Sequence, residues 1–106
     1  VAETMRAGGC GSINGLANIA PRLLRRIVDT PALVQAQDEK LVLDLLALLS
    51  VLPGMPFVNV YKTMLAERTG DDAWLNVRPP LCPLTHDEEQ TVRRAYRAIG
   101  AMLERV

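Results

Sequence analysis

The sequence predicts a mostly α chain carrying one short strand. Apolar residues recur at helical spacing in several runs, and proline and glycine breaks separate those runs. Cys10 to Gly15, an uncharged stretch behind Gly8-Gly9, is the only strand candidate. Apolar residues make up 49% of the 106 residues, a composition that folds rather than stays disordered.

Residues 1 to 7 read as the tail of a helix with Val1, Met5 and Ala2 on one face, ended by Gly8-Gly9. Cys10 to Gly15 then reads as the strand. A lone strand cannot satisfy its own edges, so it calls for partners outside this sequence and implies a piece of something larger. Asn18 or a neighbour is expected to cap the next helix, with Pro21 in its first turn. That helix, Pro21 to Asp29, puts Leu23, Leu24, Ile27 and Val28 on one face and Arg22, Arg25 and Arg26 on the other.

Asp29-Thr30-Pro31 is a break and a restart. From Pro31 to Leu52 the sequence predicts the longest helix, about 33 Å if unbroken. Its first half is polar, through Gln35, Gln37, Asp38, Glu39 and Lys40. Its second half, Leu41 to Leu52, is apolar on nearly every side apart from Asp44 and Ser50. Such a helix is expected to be buried on nearly every side, against another domain or subunit. The run is too short and too interrupted for a membrane span.

Pro53-Gly54-Met55-Pro56 is a predicted turn, and Phe57 to Arg68 returns to helical spacing through Val60, Met64 and Leu65. Ala73 to Pro83 is expected to run extended over the surface, with the Trp74 ring buried beneath it. Thr85 and Glu88 stand at capping-box spacing at the head of the last helix. Asp87, Glu88 and Glu89 suit its positive end, and Glu89 can pair with Arg93. Val92, Ala95, Tyr96, Ile99 and Leu103 form its apolar stripe.

Twelve basic residues balance twelve acidic ones, so no patch of the kind nucleic acid demands is present. Cys10 and Cys82 lack metal-ligand spacing and His86 is the only histidine, so no metal site is expected. Reduced thiols and the absence of a targeting segment point to the cytoplasm.

Lys40 and Lys62 are the only lysines. Lys40 lies in the polar half of a helix. Lys62 neighbours Tyr61 in sequence, but adjacent helical residues do not face each other. His86 is expected on the surface of a first helical turn. Asp71-Asp72 and Asp87-Glu88-Glu89 lie at helix ends, where turns and dipoles account for them. Ser12 and Ser50 have no base beside them, and Cys10 no evident cation. None of these side chains makes a catalytic constellation.

What survives is backbone and small residues. Gly8-Gly9-Cys10-Gly11-Ser12-Ile13-Asn14-Gly15-Leu16-Ala17-Asn18-Ile19-Ala20-Pro21 resembles the eighth strand and following helix of the dihydrodipicolinate synthase / N-acetylneuraminate lyase family, where the pattern is G-G-x-G-x-I-S-x-x-A-N-x-x-P. Val77-Arg78-Pro79-Pro80-Leu81-Cys82-Pro83-Leu84-Thr85, followed by an acidic helix start, resembles the family's final segment. The order and spacing of the helices between them fit as well.

The resemblance implies the C-terminal part of a (β/α)₈ TIM barrel. Residues 1–29 would be the end of the barrel (helix tail, strand 8, helix 8), and residues 30–106 a C-terminal helical region. The intact enzyme implied is a class I aldolase or lyase, often a tetramer. It forms a Schiff base between a lysine and pyruvate or a related 2-oxo acid, without a cofactor. Both that lysine and the proton-shuttling tyrosine lie upstream of this sequence, so no catalytic residue is expected in it. By the same resemblance Ile13, Asn14 and Gly15 border the substrate, at the strand's C-terminal end, where barrel active sites sit. Asn14 stands where many members carry Ser or Gly. The alternative is a stand-alone helical module for oligomerisation or partner binding without catalysis, centred on Leu41 to Leu52.

Overall fold

In a computed structural model, which describes residues 1–54 and 56–105, the described chain is mostly helical. Among the described residues five α-helices run in order: α1 (Ala2–Arg6), α2 (Pro21–Asp29), α3 (Ala36–Leu48), α4 (Phe57–Thr69) and α5 (His86–Glu104). Short 3₁₀ turns at Gly15–Asn18, Pro31–Leu33 and Asp72–Leu75 join them. Among the described residues no helix is long and apolar enough to cross a membrane.

The expected strand is absent: among the described residues there is no strand or sheet. Cys10 to Asn14 is a ribbon without regular structure, and Gly15 opens the first 3₁₀ turn. Asn14 has extended backbone angles, φ −154° and ψ 146°. Among the described residues, no backbone amide from Cys10 to Asn14 donates a hydrogen bond. Extended backbone becomes a strand only when a neighbour completes the ladder, and the described residues offer none.

Helix α2 has the predicted bounds and starts with Pro21, but Asn18 does not cap it. Ala20 holds the N-cap position without a side-chain bond, while the Asn18 side chain turns back to donate to Gly15 O at 3.0 Å. Leu23, Leu24 and Ile27 are buried as predicted.

The long helix from Pro31 divides in two. Val34 and Gln35 are extended between the 3₁₀ turn and α3, which keeps 13 residues. Asp38 explains the restart. Its carboxylate accepts from Gln35 N at 3.1 Å, as an N3 acid does at a helix head, and pairs with Arg26 across the break. Burial of the second half is one-sided. Leu41, Leu45, Leu48 and Leu52 enter the core, whereas Leu43 is 65% and Leu46 43% exposed.

At the following turn Gly54 has φ +77°, a left-handed conformation suited to glycine; Met55 lies outside the described residues. Helix α4 ends at Gly70, again left-handed. Trp74 is not buried under the following segment: it is 41% exposed within its 3₁₀ turn. Asn59 instead pins that segment, donating to Cys82 O at 2.8 Å.

The capping box at Thr85 is complete, with Thr85 N to Glu88 Oε1 at 3.0 Å and Glu88 N to Thr85 Oγ1 at 3.2 Å. Behind it Val92 and Tyr96 are buried, with Ala95, Ile99 and Leu103 packed beside them. The core gathers Leu16, Ile19, Leu23, Ile27, Leu45, Val60, Met64 and Val92 from every part of the chain.

Candidate functional site

The three residues expected to border a substrate lie where the ribbon meets the first 3₁₀ turn. The Ile13 side chain is wholly exposed and touches none of the core. Asn14 is held locally. Its Oδ1 accepts from Leu16 N at 2.9 Å and its Nδ2 donates to Ser12 Oγ at 3.3 Å. This is an Asx turn, formed because a short amide side chain can close onto the backbone two residues ahead.

Gly15 is set against α4. A Cβ placed on it would lie 2.8 Å from Tyr61 Cε2 and 2.9 Å from the Tyr61 hydroxyl oxygen. No larger residue fits beside that ring without displacement. Beyond Gly15 the turn is anchored by the buried side chains of Leu16 and Ile19. The Arg68 guanidinium, also from α4, donates to Ile19 O at 2.8 Å. The site therefore has a solvated edge at Ile13 and a fixed base from Leu16 onward.

A shallow cavity of about 290 Å³ opens beside the ribbon, lined in part by Cys10, Ser12, Asn14, Leu24 and Arg25. Arg25 spends its charge on Asp29, at 2.6 Å. Cys10 and Cys82 are both free, exposed thiols.

The remaining candidates are dispersed. Lys40 pairs with Asp44 at 2.6 Å on an exposed face. Lys62 donates to Asn76 O and so ties α4 to the exit of the Asp72–Leu75 turn; it makes no pair with Tyr61. His86 is exposed at the first position of α5. Among the described residues no group of three or more His, Cys, Asp or Glu side chains could hold a metal ion.

The strongest electrostatic cluster is structural. Arg93, mostly buried, meets Glu67 of α4, Asp72 of the 3₁₀ turn and Glu89 of its own helix, each at 2.9 Å. Arg97 adds a second bond to Glu67 at 3.1 Å. Hydrogen bonds from Arg97 and then Arg93 hold the Glu67 carboxyl down at about 2. Every carboxylate here is matched by a guanidinium, so none is left to act as a base. Asp72 and Glu89 thus serve α4–α5 packing, beyond the turn and dipole roles read from sequence.

No protein-family model, curated protein or solved structure matches this chain.

Two features of the site escape sequence reading. Tyr61 and Arg68 reach the turn from residues far along the chain, and nothing in their local pattern marks them. The only hint is the small residue at position 15, which permits a close neighbour without saying which.

Proposed function

We propose that this chain is the C-terminal portion of a Schiff-base-forming lyase or aldolase, similar to dihydrodipicolinate synthase, acting on pyruvate or a related 2-oxo acid. The observation that carries this reading is the ribbon from Cys10 to Asn14. Its sequence resembles the family's eighth strand, its Asn14 backbone is extended, and its backbone amides donate to no described residue. It directly precedes a turn seated in the core and a proline-led helix. A barrel strand lacking its two neighbours would have these properties, and a stand-alone helical module would also leave this segment without sheet partners, so the resemblance of the letters tips the reading.

On this reading the preceding part of the barrel supplies the lysine that condenses with the substrate carbonyl. The protonated imine withdraws electrons from the adjacent carbon, so that a C–C bond there can form or break. A tyrosine of the same preceding part moves the proton. This chain contributes the pocket edge: the backbone at Ile13, with Asn14 and Gly15 after it. Asn14 is already committed to Leu16 N and Ser12, so it shapes the edge through its turn.

The test is borohydride reduction of the natively purified protein in the presence of pyruvate, followed by intact mass. A species about three times heavier than this chain, carrying reduced pyruvate on a lysine, is expected from the size of a barrel. A lone 11.6 kDa species without adduct overturns the reading. It would favour the helical interaction module, for which the exposed Leu43 and Leu46 on α3 speak.

A further inference from the structure

We propose that Tyr61 is the positioning residue of the pocket edge, packing its ring against Gly15 so that the backbone at Ile13 to Gly15 is held in one place. This rests on the reading above and names what the helical region does for that site.

The argument is steric. Gly15 has no unusual backbone angle that would demand glycine; what a larger residue would meet there is the far edge of the Tyr61 ring, which would have to shift. The space a Cβ needs is taken by Tyr61 Cε2 at 2.8 Å and the hydroxyl oxygen at 2.9 Å, well inside carbon–carbon contact distance. The ring is half-buried and packs against the hydrophobic core. The turn is fixed from its other side by Leu16 and Ile19 in the core and by Arg68 on Ile19 O. Ile13 and Asn14 have no anchor of their own in the core. Gly15 against Tyr61 is thus the last fixed point before the edge, and a shift there moves the edge directly. Displacements of about 1 Å at such a point cost up to about a hundredfold in a reaction that depends on positioning.

The test uses the intact lyase, reading the pyruvate concentration that gives half-maximal borohydride trapping, with kcat and KM beside it. Gly15→Ala and Tyr61→Ala are each expected to raise that concentration about tenfold, KM moving more than kcat. Combining Gly15→Ala with Tyr61→Ala is expected to recover much of the loss, because the methyl enters space the ring vacated. Tyr61→Phe keeps the ring edge and folds, and is expected to stay within about twofold of wild type. A Gly15→Ala variant that traps pyruvate like wild type overturns the proposal, as does a double variant no better than Gly15→Ala. Loss in Tyr61→Phe as deep as in Tyr61→Ala assigns the effect to the hydroxyl and overturns steric positioning. A wild-type protein that traps no pyruvate fails at the earlier step, overturning the lyase reading and this one with it.

Discussion

Glu67 carries more of the α4–α5 contact than any other charged side chain, because two guanidinium groups share it. Those bonds favour the carboxylate, so its pKa sits at about 2 in the folded chain against an ordinary 4.5. The linkage follows from that direction. Stabilisation by this group is complete above about pH 4.5 and drains away as pH falls towards 2, where the folded carboxyl takes up its proton. Glu88 is lowered too, by its bonds with Thr85, and acts in the same sense. Urea midpoints measured from pH 6 down to 2 should therefore fall. In Glu67→Gln the slope should be shallower and the pH 6 stability about 2 kcal/mol lower, the scale of a hydrogen bond to a charged partner. An unchanged slope would show that Arg93 and Arg97 do not hold this carboxylate in solution.

The helices differ in what starts them, and their sensitivity to mutation should differ accordingly. Helix α5 begins at a reciprocal pair visible in the letters Thr85 and Glu88, so Thr85→Ala should cost about 1 kcal/mol and Thr85→Ser little, read by chemical denaturation. Helix α3 begins where Asp38 meets Gln35 N and Arg26. This restart was not legible, because the polar run around it fits an unbroken helix equally well. What decides it is Arg26, twelve residues upstream and on a different helix. One-sided burial was equally hidden: five leucines between Leu41 and Leu48 look alike, but only packing distinguishes Leu45, at 1% exposed, from Leu43 at 65%. Leu45→Ala should cost about 2–5 kcal/mol. Leu43→Ser in this chain should change stability by no more than about 0.5 kcal/mol. Equal losses at the two positions would mean that α3 is packed differently in solution.

At the scale of the whole chain, the body is extended, 42 × 28 × 23 Å, with a radius of gyration of 14.6 Å. A free-standing domain of this length has about 13 Å. On the proposed function, that elongated shape, the exposed leucines of α3 and the ribbon from Cys10 to Asn14 would share one account, a neighbour outside this chain. Amide hydrogen exchange tests it residue by residue. In the isolated chain the backbone amides of Cys10 to Asn14 find no acceptor among the described residues, so they should exchange at close to the unprotected rate, while those of Val60 and Met64 on α4 are slow. In the intact barrel the proposed function requires the same ribbon to be a central strand, bonded on both edges. Its amides should then be slowed by at least about a hundredfold, a difference of about 2.7 kcal/mol in opening free energy. Gly15, whose place depends on Tyr61, should mark the end of that protection. If Cys10 to Asn14 stays unprotected in the largest native species, the ribbon is a surface loop. The resemblance of its letters to a barrel strand would then carry no structural meaning.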